Sequence, residues 1–183
     1  MRHPSGGKVL VLGLFFLSGA TGLVYEVAWT RMFTTVFGNT VQAASTVLAA
    51  YMGGMALGSL AIGRRGDRLA RPLAAYGLLE LGIGVCALVM PLAIGGLTGL
   101  YSSVFQAFGQ RPLPVTIIRF LLSFGMLLVP TILMGATLPI LSRFAGREMA
   151  RLGSGVGALY AVNTFGAVLG SFLTGFVLLE AIG

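Results

Sequence analysis

Nine residues, Gly63-Arg64-Arg65-Gly66-Asp67-Arg68-Leu69-Ala70-Arg71, separate two long apolar runs and hold four arginines. An arginine at the centre of a membrane-spanning helix costs about 2.5–3.5 kcal/mol or more. Four of them cannot be placed in hydrocarbon, so the segment is predicted to lie at a membrane surface. The excess of Lys and Arg on cytoplasmic loops puts it on the cytoplasmic side. Alternation then fixes the orientation of every other apolar run.

The runs themselves ask for a membrane. Of 183 residues, 56% are hydrophobic and 9% are charged, and the mean hydropathy is +0.94. A soluble domain carries roughly a quarter charged residues. This composition excludes a soluble globular fold and a disordered chain. The net charge of +7 does not point to nucleic acid, because the basic residues fall at the ends of apolar runs, where anionic lipid headgroups meet them. Cys86 is a lone cysteine inside an apolar run and reads as a small hydrophobe. His3 is the single histidine, so no histidine-based metal site or proton relay is expected. Gly82-Ile83-Gly84 has no strand before it and is not read as a cofactor loop. No catalytic residue, cofactor or metal is assigned.

Taken in order, Arg2 and Lys8 flank a short polar start. The apolar run that follows passes Ser18-Gly19-Ala20, a cleavage-like position, and continues for a full span. It is predicted to be an uncleaved first helix, about 9–30, with Tyr25 and Trp29 at the far interface. Gly38-Asn39 should turn the chain. The second span, about 40–62, holds Gly54-x-x-x-Gly58, a spacing that lets another helix approach closely. Pro72 suits the first turn of a third span, about 72–94. Residues 95–114 are expected to be a loop or an interfacial helix. The fourth span, about 115–141, contains Pro130 and Pro139 and should bend or break near Pro130. Arg143, Arg147 and Arg151 mark a second basic segment before a fifth span, about 153–179.

The fold class expected is thus all-α, a single polytopic membrane bundle of about five transmembrane helices. With the N-terminus inside, Arg2, Lys8, Arg64, Arg65, Arg68, Arg71, Arg143, Arg147 and Arg151 fall on the inner side, against Arg31 and Arg111 outside. Five spans leave the end of the sequence outside, and a sixth helix is expected beyond it.

Two sets of residues carry resemblances. Gly63-x-x-x-Asp67-Arg68-x-x-Arg71 resembles the loop signature of the major facilitator superfamily, with Ala70 where that signature has glycine. The stretch Phe16-Leu17-Ser18-Gly19-Ala20-Thr21-Gly22-Leu23-Val24-Tyr25-Glu26-Val27-Ala28-Trp29-Thr30-Arg31 resembles the first helix of the membrane domain of bacterial spermidine synthase-like proteins. Pro130-Thr131-x-x-Met134-Gly135-Ala136-Thr137-Leu138-Pro139 and Leu159-Tyr160-Ala161-Val162-Asn163-Thr164-x-Gly166-Ala167 are similar to two further motifs of that domain. The resemblance implies a bundle like half of a major facilitator, in the bacterial inner membrane. In longer relatives it also implies a soluble, Rossmann-like aminopropyltransferase domain. The strand series and glycine-rich turn that such a domain needs are not found in these 183 residues.

Ionisable groups inside a span are costly, so each is a candidate site. Glu26 and Arg119 both sit roughly 8–10 Å from the outer end at 1.5 Å per residue and are expected to approach each other; Arg31 is the alternative partner of Glu26. Glu80, about 12 Å from the inner end, has Arg64 or Arg65 as its expected partner, or stays protonated, and serves a structural hydrogen bond or, as the alternative, proton coupling. Tyr51, Asn163 and Thr164 fall near the midplane, as substrate contacts or as ties between helices. Glu26, Arg119, Tyr51 and Asn163 form the candidate substrate site. Two functions remain open. A transporter-like half-bundle for polyamines or similar cations, paired with a second copy, predicts a wet cavity lined by Glu26, Arg119 and Asn163. A non-catalytic anchor for a separate aminopropyltransferase chain predicts a dry bundle packed through Gly54, Gly58, Gly166 and Gly170. The lipid bilayer is a partner in both, and nucleic acid in neither.

Overall fold

A computed structural model describes residues 5–65, 69–108, 112–148 and 155–182 of the chain. Arg2, Arg68, Arg111 and Arg151 of the charge count lie outside the described residues. The described elements are all helical: α1 (Ser5–Phe37), α2 (Thr40–Arg65), α3 (Pro72–Phe108), α4 (Pro112–Glu148) and α5 (Gly155–Leu173). A π-helical segment, Thr174–Leu178, and α6, Leu179–Ile182, continue α5. Five stretches are long and apolar enough to cross a membrane: Val9–Phe37, Thr40–Gly63, Pro72–Ser103, Leu113–Phe144 and Val156–Ala181.

The Gly38-Asn39 turn forms as expected, and its chemistry explains why. Gly38 takes a left-handed φ of 66° and its N–H bonds Thr34 O at 2.8 Å, closing α1. Asn39 Oδ1 accepts from the N–H groups of Val41 and Gln42, at 2.9 and 3.3 Å, opening α2. At the other end, Pro72 begins α3, and Ala75 N–H reaches back to Arg71 O at 3.1 Å.

Two expectations of extent are corrected. α1 runs about two turns beyond Trp29, and Trp29 is 2% exposed in the core rather than at an interface. α3 passes through Pro91 and continues to Phe108, where a loop or interfacial helix was expected. α4 is one long helix through both Pro130 and Pro139, the unbroken one of the two forms expected. Hydropathy sets the shortest helix that can span; nothing in these flanks stops the backbone ladder from continuing. Around the prolines, the Thr131 hydroxyl donates to Leu127 O at 2.8 Å and the Thr137 hydroxyl to Met134 O at 2.7 Å. Such hydroxyls occupy carbonyls of the turns that the prolines disturb.

The helices pack in two main pairs. α2 lies along α4, and α1 along α5. α3 rests on α4 and touches α1 only lightly. Both main pairs meet through glycine. A Cβ on Gly54 would collide with Thr131, one on Gly58 with the backbone of Ile132 and Ala136, and one on Gly135 with the backbone of Met55. On the other pair, Gly166 lies against the backbone of Phe16 and Ala20, Gly170 against Ala20, and Gly19 against Asn163. Two apolar clusters sit at opposite ends. Trp29, Phe33, Phe37, Val47, Tyr51 and Leu127 fill one; Val11, Phe15, Tyr76, Ile140, Leu141 and Leu159 fill the other.

Gly58→Ala is expected to lower stability by about 1–3 kcal/mol, since the new methyl meets backbone that cannot rotate away. Gly84→Ala, whose Cβ would meet nothing within 4 Å, is expected to leave stability unchanged or raise it by about 0.5–1 kcal/mol. Unfolding of both variants in the same detergent checks the pair.

Candidate functional site

The four residues singled out from sequence do not meet in one place. Arg119, on α4, donates from Nη1 to Phe37 O at 2.9 Å. Its guanidinium carbon lies 3.7 Å from the centre of the Tyr101 ring. The acceptor is the last carbonyl of α1, where the helix dipole places partial negative charge. The expected Glu26–Arg119 approach is therefore corrected: the arginine binds a helix end and an aromatic face. Among the described residues the buried Arg119 Nε has no hydrogen-bond partner, and neither has the buried Ser123 hydroxyl one turn along.

Glu26 lies half-buried on α1 beside Tyr51. Among the described residues its carboxylate makes no ion pair or hydrogen bond, so Arg31 is not its partner either. Tyr51 itself is part of the core. Its hydroxyl donates to Gly22 O at 3.0 Å, and its ring lies 6.0 Å from that of Trp29. Tyr25 stacks on Trp29 at 5.5 Å and 12°. The i, i+4 spacing of Tyr25 and Trp29 thus builds a stack against α2.

Asn163 faces α1, as an amide in an apolar helix should. Its Nδ2 donates to Phe15 O at 3.0 Å, and Gly19 is the space that admits it. Thr164, next to it, is exposed and bonds Tyr160 O of its own turn at 2.8 Å. Tyr51 and Asn163 share one device: a side-chain donor aimed at a main-chain carbonyl of α1.

Glu80 has a partner that the sequence reading did not name. Ser18 of α1 donates to Glu80 Oε1 at 2.6 Å. The Tyr76 hydroxyl sits beside the same carboxyl and reaches Leu14 O at 3.4 Å. The expected partners Arg64 and Arg65 have side chains outside the described residues. Among the described residues Glu80 forms no ion pair. Ser18, Tyr76 and Glu80 line a cavity of about 440 Å³ between α1 and α3, with leucines for walls. Tyr76 and Glu80 are four apart on α3, which is the one signal that could have joined them in advance. Two further cavities lie elsewhere: one of about 340 Å³ beside Gln42, Ser45 and Thr116, and one of about 480 Å³ beside Thr164 and Ser171. None of the three is lined by Glu26, Arg119 or Asn163. Among the described residues no His, Cys, Asp and Glu cluster suits a metal ion.

Replacing a tie and replacing a bystander should differ. Tyr51→Phe and Asn163→Ala are each expected to cost about 0.6–2 kcal/mol, the range of side-chain hydrogen bonds between helices in a membrane. Thr164→Ala and Glu26→Gln are expected to be neutral, because neither native side chain joins two helices. Unfolding midpoints of the four variants in one detergent test the division.

Two curated relatives match along essentially the whole chain. It is 32% identical to polyamine aminopropyltransferase 1 of Streptomyces coelicolor over 183 residues, which cover 100% of this chain and 31% of the relative. It is also 32% identical to polyamine aminopropyltransferase 2 of the same organism over 185 residues, covering 99% of this chain and 31% of the relative. No family model matches the chain, and no solved structure matches it. The chain spans 31% of the length of these relatives and, over that length, is homologous to the polyamine aminopropyltransferases.

Proposed function

We propose that the chain is a multi-pass bundle of the bacterial inner membrane, its N-terminus cytoplasmic, that serves polyamine synthesis as a non-catalytic platform. Aminopropyl transfer itself belongs, in this reading, to another domain or another chain held at the membrane by the bundle. The homology to polyamine aminopropyltransferases supports the biochemical setting. The observation that carries the platform role is the closure of both main helix pairs by glycine against backbone. Backbone contacts of this kind hold each helix pair in one fixed arrangement, which suits a platform, and the cavities at Glu80, Gln42 and Thr164 are not lined by Glu26, Arg119 or Asn163. The side chains expected to line a pathway point the same way. Tyr51 and Asn163 are engaged in ties to α1, and Arg119 in a tie to the end of α1.

One observation favours a second reading. The cavity at Glu80 holds an acid between two helices that touch only lightly. A transporter-like half-bundle, completed by a second copy and using Glu26, Arg119, Tyr51 and Asn163 along a cation path, would need such a weak seam.

Flux separates the two. Purified chain reconstituted in liposomes is expected to give no uptake of labelled spermidine or putrescine beyond that of protein-free liposomes. Saturable uptake that depends on the protein would replace the platform with the transporter. Conversely, an aminopropyltransferase catalytic chain co-expressed with the bundle is expected to sediment with membranes, and to stay soluble without it.

A further inference from the structure

The geometry points to the α1–α3 groove as a binding site for an alkylammonium ion, a single primary ammonium on an unbranched hydrocarbon chain. The inference stands on the groove alone and not on the platform reading.

Three features of the groove fit that chemistry. First, it has one charged group among its lining residues, Glu80, and that group is an acid. The carboxylate is about 12 Å along α3 from Pro72, with apolar helix on both sides. Ser18 satisfies Oε1 with a neutral donor, and no described Lys, Arg or His forms an ion pair with the carboxylate. A carboxylate so placed is stabilised most by a cation that arrives with its own N–H donors, through charge-assisted hydrogen bonds. Second, the Tyr76 hydroxyl stands beside the Glu80 carboxyl. An ammonium bound to Glu80 would find in that phenolic oxygen a further acceptor for its N–H groups. Third, the rest of the lining is hydrocarbon. Leu14, Leu17 and Leu73 border the groove and are themselves exposed, so it opens sideways to the surroundings of the bundle. An alkyl chain can enter from there and remain against leucine while the head reaches Glu80.

The same features choose among amines. A polyamine carries a second charge a few carbons from the first. In this groove that charge would lie against leucine with no carboxylate to meet it, a costly burial. One acid at the end of an apolar groove selects one ammonium at the end of an apolar chain.

The test uses the purified chain in a neutral detergent, with octylammonium chloride, octanol and spermidine as probes, read by calorimetry. Octylammonium is expected to bind saturably, octanol not to bind saturably, and spermidine to bind at least about tenfold more weakly. Glu80→Gln keeps an oxygen to accept from Ser18 and is expected to weaken octylammonium at least about tenfold. Gly77→Leu keeps Glu80 and fills the groove; a Cβ at Gly77 meets nothing within 4 Å, so the fold has room for it. It is expected to abolish binding. Wild-type affinity in both variants would overturn the site. Equal binding of octanol would show apolar partition alone and overturn the role of the acid. Tighter binding of spermidine than of octylammonium would overturn the choice of ligand.

Discussion

Two helices in an apolar solvent gain little from hiding their side chains from it, because lipid is as apolar as leucine. What holds them is contact at short range and hydrogen bonds that lipid cannot offer. This bundle uses both at the same places. Gly54 and Gly58 bring the α2 backbone onto Thr131, Ile132 and Ala136 of α4, and Gly135 returns the contact from the α4 side. Gly166 and Gly170 do the same for α5 on α1. Where the backbones come this close, main-chain carbonyls lie within reach of the partner's short side chains. Asn163 can bond Phe15 O because Gly19 leaves space for its amide. The close approach and the polar tie are one feature seen twice.

The charged residues follow from the same solvent. An arginine within a span must find negative charge, and helix ends provide it without an acid. α4 does this at both of its ends. Arg119 donates to Phe37 O at the end of α1, and Arg143 Nη2 donates to Gly63 O near the end of α2, at 2.8 Å. The two arginines are 24 residues apart in sequence and pin α4 to the last turns of α1 and α2. This removes the need for acid–base pairs across the bundle. It also explains why Glu26 and Arg119 do not pair: with α1 extended to Phe37, Glu26 lies eleven residues, about 16 Å, from the helix end that Arg119 binds.

Much of the fold was legible from the chain alone, for reasons that can be named. Apolar length and the placing of arginines marked five helices, and Gly38-Asn39 and Pro72 marked two boundaries, because each acts through local backbone chemistry. Gly54-x-x-x-Gly58 marked a packing face correctly. What sequence could not supply was rotation about each helix axis. Depth along a helix comes from counting residues; the direction a side chain faces depends on which neighbour the helix chooses. Trp29 illustrates the gap. An aromatic residue near the end of a span suits an interface and a core equally well, and only the extension of α1 to Phe37 placed it in the core. Ser18 illustrates it again. Nothing local distinguishes it from any small residue of α1, and its role exists only because α3 brings Glu80 to it.

The same seams decide where the bundle is open. Pairing α2 with α4 and α1 with α5 uses the glycine faces of four helices. α3 has Gly77 and Gly84 where an added Cβ would touch nothing, so its small residues are not engaged in close packing. It is held to α4, with Leu133 against Gly82, and only lightly to α1. The space left on the α1 side is the groove that contains Glu80. An acid in a tightly closed seam would be expelled or neutralised by packing. In a seam that stays open, a hydroxyl from the facing helix is enough to hold it, and its remaining acceptor capacity is available to whatever enters. Glu80, the acid that takes a hydrogen bond from a second helix, thus lies in a seam that no described glycine closes.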